Sequence, residues 1–178
     1  MVRVVMFDLG NTIIRDPNSP GASLFPGARE ALAELNQLAS ATPPVDTCLV
    51  SDFLAAEPPT EQRRAELFAE YLAILDRFQL RPLFEPVDKR VTLSTQAGVT
   101  KPDRAIFELA VKRLGLRGVV GLGQCALVTE ELEHLSACRE LGMTTIQFLG
   151  PVPGVADFRV GAWSEIPPLI AQLRGHGG

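Results

Sequence analysis

The sequence predicts an α/β fold: a doubly wound, Rossmann-like parallel sheet in three α/β/α layers. Three observations predict it. Short β-branched and apolar runs without polar alternation recur along the chain, as strands buried on both faces require. Helical stretches separate those runs, and right-handed βαβ crossovers then lay the strands parallel. The composition, 46% hydrophobic and 21% charged over 178 residues, is that of an ordinary globular protein, with room for one core in one domain, 1–178.

Residues 2–7, Val-Arg-Val-Val-Met-Phe, make the first strand, which stops at the turn-forming Asp8-Leu9-Gly10-Asn11. Arg15 to Pro26 is rich in Pro, Gly, Ser and Asp and reads as a loop. A helix opens near Pro26-Gly27, with Ala28, Ala31, Leu32, Leu35 and Leu38 at helical spacing. Pro43-Pro44 ends that region, and 45–51 is a second buried strand. After Glu57-Pro58-Pro59 comes an amphipathic helix, whose stripe of Phe68, Tyr71, Leu72, Leu75 and Phe78 reads as core. Residues 91–93 form a short strand. Pro102-Asp103 starts a helix capped by Asp103, with Ile106, Phe107, Ala110, Val111 and Leu114 inside and Gly115 as its stop. Core strands follow at 125–128 and 144–149, separated by a helix ending at Gly142. A short strand at 158–160 and a helix over 166–173 close the chain.

The net charge of −4 is mild and both signs are mixed along the chain. No basic stripe is present, so nucleic acid is not an expected partner. A small anionic substrate is compatible with the charge, because local potential in a cleft matters more than the total. The apolar stretch at the N-terminus is too short for a signal peptide, and none approaches a membrane span, so a cytoplasmic protein away from membranes is expected. Cys48, Cys125 and Cys138 lie in apolar settings without Cys-x-x-Cys spacing and read as reduced core residues.

Ligands of doubly wound sheets bind beyond the carboxyl ends of the strands. The residues there are Asp8 to Thr12, Ser51 and Asp52, Lys101 in a loop, and Thr129 to Glu131. Asp52 reads as a loop or capping residue, and His134 as a surface or packing residue on a helix.

Taken in order, these segments resemble the four motifs of the haloacid dehalogenase superfamily, across almost the whole chain. The first motif of that family is an apolar strand ending in Asp-x-Asp-x-Thr; here it reads Phe7-Asp8-Leu9-Gly10-Asn11-Thr12. The second, a Ser or Thr closing the next strand, is matched by Ser51. The third, a Lys before a helix, is matched by Val99-Thr100-Lys101-Pro102-Asp103-Arg104-Ala105-Ile106-Phe107, with Leu114-Gly115 beyond it. The fourth is a strand ending in an acidic loop, followed here by Arg139-Glu140-Leu141-Gly142-Met143.

The resemblance implies phosphoryl transfer through a covalent aspartyl-phosphate. It casts Asp8 as nucleophile and Mg²⁺ ligand, and Ser51 and Lys101 as catalytic and phosphate-binding residues. Asn11 and Thr12 join them at the phosphate, and the Gly10 carbonyl and Glu130 join Asp8 at the metal. Two departures stand out. Gly10 replaces the second Asp of the first motif, which protonates the leaving group and activates water, a role worth about 10²–10⁴ in rate. Thr129 and His134 stand where acids of the fourth motif are expected, so Glu130 or Glu131 reaches the metal only after a one-residue shift; otherwise both simply begin a helix. Neither insertion point holds a cap domain, so an open site is expected. Such a site suits a phosphorylated small molecule or macromolecule, or a protein partner or second copy that covers it.

The leading expectation is therefore a weak Mg²⁺-dependent phosphatase. The alternative is a catalytically degenerate binding or regulatory module. A true dehalogenase ranks below both because it needs a cap, and a receiver domain is set aside because its acids are arranged differently.

Overall fold

The computed structural model of the chain describes residues 1–17, 19–53, 59–150 and 155–175. Strand β1 (Val4–Phe7) is followed by the short strands β2 (Ile14–Arg15) and β3 (Ser23–Leu24) and by helix α1 (Ala28–Gln37). Next come β4 (Asp46–Ser51) and the long helix α2 (Glu61–Arg77). The one-turn helices α3 (Val87–Arg90) and α4 (Ser94–Ala97) flank β5 (Val91–Leu93). The remainder runs α5 (Arg104–Arg113), β6 (Cys125–Thr129), α6 (Leu132–Glu140), β7 (Thr144–Phe148), β8 (Phe158–Val160) and α7 (Ile166–Gly175).

Within the described residues, six strands form one parallel sheet in the order β5-β4-β1-β6-β7-β8. The chain winds from β1 out to β5, crosses back to β6 on the other side of β1, and winds on to β8. That reversal leaves a crevice at the carboxyl ends of β4, β1 and β6, where ligands of such sheets bind.

Alternation along the strands feeds two cores. Val5 and Phe7 of β1, with Leu49, Val128, Ile146 and Phe148, pack against α1 and α7 through Leu32, Leu35, Ile166 and Ile170. Val4 and Met6, with Cys48, Val50 and Leu127, pack on the opposite face against Ile106, Phe107 and Ala110 of α5 and Cys138 of α6. Burial on both faces is why these strands read as unbroken apolar runs. Asp103 caps α5 by accepting from the Ala105 N–H at 2.8 Å, and Gly115 ends that segment at φ 78°, a conformation glycine adopts without strain. All three cysteines are free and buried, and no described helix is long and apolar enough to cross a membrane.

The expected fold is found, with three local differences. Strand edges move by one or two residues, to Val4, Asp46, Thr129 and Phe148. Arg15 to Pro26 is more than a loop: Ile14 pairs with Leu24 and Arg15 with Ser23 in an antiparallel ribbon. Two pairs are too few to give a periodicity, and the Pro, Gly and Ser content belongs to the ribbon's tip. Helix α2 is rotated by about one position relative to expectation. It buries Leu67, Tyr71 and Leu75, while Phe68, Leu72 and Phe78 lie at the margin. Thr60 caps it, accepting from the Arg63 N–H; Glu57 and Pro58 of the break expected before it lie outside the described residues.

Candidate active site

Phe7, the last residue of β1, stands level with Leu49 and Val128 on its neighbours. Asp8 therefore leaves the sheet at the reversal point, its N–H still donating to the Val128 carbonyl. One carboxylate oxygen, Oδ1, accepts from the Leu9 N–H at 2.8 Å, and the other, Oδ2, lies 2.8 Å from Lys101 Nζ. The Asp8 side chain is 13% exposed and that of Lys101 only 1%, so the cation is buried and the anion alone looks outward. Lys101 is set in place by its own N–H, which donates to Asp52 Oδ1 at 2.9 Å. Breaking a buried pair of this kind is strongly destabilising, because the remaining charge stays desolvated.

Ser51 closes β4, and its Oγ is 2.7 Å from the phenol oxygen of Tyr71 on α2. Burial pushes the Tyr71 phenol well above its ordinary range, with the Ser51 contact opposing and Asp8 adding to the rise. The phenol is thus a permanent O–H. When it donates to Ser51, the serine's own proton is free for a ligand. Phe53 meets the Tyr71 ring edge-on at 5.4 Å.

These groups line a cleft of about 280 Å³. Its polar side carries Asp8, Ser51, Asp52, Lys101, Glu130 and His134; Leu9, Phe53, Tyr71 and Ile74 supply the apolar wall. Glu130 Oε2 accepts from the Thr12 hydroxyl at 2.7 Å. Burial raises the Glu130 carboxyl above its ordinary value; the Thr12 bond opposes this, and Asp8 and Glu131 reinforce it.

The structure brings Asp8, Gly10, Asn11, Ser51, Lys101 and Glu130 to one cleft. Thr12 stands behind it, fully buried, with its hydroxyl on Glu130 and its carbonyl accepting from Trp163 Nε1 at 2.9 Å. Asn11 sits at the rim with φ 49°, its Oδ1 accepting from the Asp16 N–H. At Gly10 an added Cβ would lie 3.3 Å from Pro17 Cγ, so the ribbon's tip crowds this position. Thr129, still in β6, is buried, and its hydroxyl accepts from the Glu131 N–H at 3.2 Å. Two acids of this segment, Glu130 and Glu131, line the cleft.

Three polar cleft residues were not expected there from sequence: Asp52, Tyr71 and His134. Tyr71, the chain's sole tyrosine, lies in a stripe that reads as core, yet a buried phenol needs a hydrogen-bond partner, and that is the available signal. His134 sits in the first turn of α6, just past the loop that carries Glu130, and lines the same cleft. Its Nε2 is 3.9 Å from Asp52 Oδ2, and its Nδ1 is buried without a hydrogen-bond partner.

As a metal site the cleft offers hard oxygen donors, the carboxylates of Asp8 and Glu130. Among the described residues no three His, Cys, Asp or Glu side chains are grouped to hold an ion. Two carboxylates fit the way Mg²⁺ is bound, by one or two acids together with waters and substrate phosphate.

No protein-family model matches the sequence, and no curated protein matches it significantly. Solved structures do. L-2-haloacid dehalogenase from Xanthobacter autotrophicus is 14% identical, with a TM-score of 0.68 over 99% of this chain and 100% of that one. A HAD-superfamily hydrolase of subfamily IA, variant 1, from Geobacter sulfurreducens is 13% identical, with a TM-score of 0.67 over 95% and 100%. A HAD family hydrolase from Deinococcus radiodurans, solved with bound phosphate and sodium, is 18% identical, with a TM-score of 0.58 over 85% of this chain and 61% of that one. At such identities the likeness is one of fold. The chain has the haloacid dehalogenase-like fold, a parallel six-stranded sheet flanked by helices.

Proposed function

We propose that the protein is a slow, Mg²⁺-assisted phosphohydrolase that passes a phosphoryl group first to Asp8 and then to water. The carrying observation is the Asp8–Lys101 pair at the reversal point of the sheet, with the Ser51 hydroxyl lining the same cleft. Asp8 is the partly exposed member, so its oxygen meets the phosphorus. Lys101, an ammonium with three donors, balances charge on the transferring group without leaving the pair. Ser51, backed by Tyr71, donates to a phosphoryl oxygen. Asp8, Glu130 and the Gly10 carbonyl would hold Mg²⁺. When bound, that ion supplies the positive charge that lets a carboxylate and a phosphate approach.

Slow turnover follows from position 10, where a glycine offers no side chain to protonate a leaving group. The substrate class is a phosphorylated small molecule, or a macromolecule whose bulk covers the cleft. A cytosolic setting belongs to the same reading, since the three buried thiols are unpaired.

The test is phosphate release from a panel of phosphomonoesters and acyl phosphates with Mg²⁺. Activity present in the wild type and at the uncatalysed background in Asp8→Asn supports the reading; no release from any substrate rejects it. A second reading, a binding module without turnover, is favoured by Gly10 and by the inward-turned Thr129. It predicts that calorimetry detects neither millimolar-range Mg²⁺ binding nor a response to fluoroberyllate.

A further inference from the structure

We infer that His134 and Asp52 are the water-activating pair of this cleft, with His134 as the base that removes the proton when the Asp8 phosphoryl group is hydrolysed. This rests on the phosphoryl-transfer reading above.

The geometry carries it. Asp52 is held by one oxygen, Oδ1, on the Lys101 N–H, which leaves Oδ2 aimed at His134 Nε2 across 3.9 Å. That separation is too long for a direct hydrogen bond and suits two acceptors that share one water. A water placed there donates one hydrogen to each and keeps its lone pairs for phosphorus. In this assignment the ring proton sits on Nδ1, which is buried and has no hydrogen-bond partner, so that Nε2 presents its lone pair to the water. Several other polar side chains of the cleft are engaged elsewhere: Lys101 with Asp8, Tyr71 with Ser51, Glu130 with Thr12 and Asn11 with the Asp16 N–H, while Glu131 also lines the cleft.

The charged groups around His134 are Asp52 and Lys101 across the cleft, Asp8 at the end of β1, and Glu131 on its own segment. Burial, then Lys101, lowers the imidazole below its ordinary 6.5, while Asp52, Asp8 and Glu131 pull it back up. That lowering favours the neutral ring, the form a base requires. In the step itself, the water oxygen bonds to phosphorus and the bond from phosphorus to the Asp8 oxygen breaks, its electron pair returning to the carboxylate. The water's proton passes to Nε2. The imidazolium so formed faces Asp52, which stabilises it until the proton leaves to solvent.

Acetyl phosphate with Mg²⁺, followed by intact-protein mass spectrometry and phosphate release, tests this. His134→Asn is expected to take up the phosphoryl group as the wild type does but to release it at least ~100-fold more slowly. The wild-type release rate should rise with pH through the imidazole titration, below 6.5, and level off, and the variant should lose that rise. Normal release with an unchanged pH profile in His134→Asn overturns the inference and leaves the Asp8 reading standing. A wild type that never takes up the phosphoryl group overturns both. Independently of turnover, NMR titration should show the His134 imidazole shifted to lower pH in Asp52→Asn; an unmoved titration dissolves the pair.

Discussion

Strand β4 has a half-buried cation near its start and a buried one near its end, and the two are held in different ways. Near its start, Arg90 donates through Nε to the Thr47 carbonyl at 2.8 Å and through Nη2 to Asn36 Oδ1 at 2.5 Å and to the Thr47 hydroxyl. Its Nη1 reaches the Glu85 carbonyl, and Phe84 lies 5.8 Å from the guanidinium. Every one of these acceptors is neutral, and burial lowers the Arg90 pKa. At the far end of β4, past Ser51, Lys101 meets a carboxylate, Asp8. The rigid fork of Arg90 is distributed over fixed protein acceptors and closes one end of the sheet. The ammonium of Lys101 is a point charge with donors to spare, placed where the sheet opens. A buried cation becomes chemical equipment when its partner is an anion that itself reaches solvent.

The largest expected effect sharpens this contrast. Lys101→Met leaves Asp8 beside an apolar chain, and should lower the unfolding free energy in urea by about 3–5 kcal/mol while abolishing phosphate release. Arg90→Met should follow at about 2 kcal/mol, the cost of withdrawing the guanidinium from the Thr47 and Glu85 carbonyls, with kcat/KM unchanged once the protein is folded. A loss of kcat/KM in Arg90→Met matching that of Lys101→Met would break the comparison.

Tyr71→Phe removes the partner of Ser51; about 1 kcal/mol of stability and a several-fold rise in KM are expected, measured by urea titration and steady-state kinetics. The smallest effect has the opposite sign. Because burial raises the folded-state pKa of Glu130, its ionised form costs the fold stability above the unfolded carboxyl's pKa, and that cost fades as pH falls. Glu130→Gln keeps an acceptor for Thr12. Its melting temperature should therefore rise slightly at pH 7, with no gain at acidic pH, while the Mg²⁺ dependence of turnover weakens.

The sheet was legible because β1, β4, β6 and β7 are buried on both faces, and continuous apolar runs announce that state. The site was legible where a residue's place is fixed by strand ends, as at Asp8 and Ser51. Orientation was less so. Thr129 and Glu130 are adjacent, and only the way β6 ends decides which one faces the cleft. In α2, Leu67 and Phe68 are both apolar, so the stripe can be drawn in two phases; tertiary packing selects the one that buries Tyr71. Position 134 carries no local pattern that distinguishes a packed imidazole from one aimed at Asp52, because Asp52 arrives from 82 positions away in the chain, as the numbering shows.

Helix α2 has one last implication. It is seventeen residues long and is anchored by three fully buried side chains, one of which ends at the Ser51 hydroxyl. An occupant that takes the Ser51 hydroxyl would compete with Tyr71 for it. On its outer surface, Arg63 bridges Glu66 and Glu70 in full view of solvent. The helix thus joins the cleft, through Tyr71, to a solvent-facing surface that carries the Arg63 ion pairs.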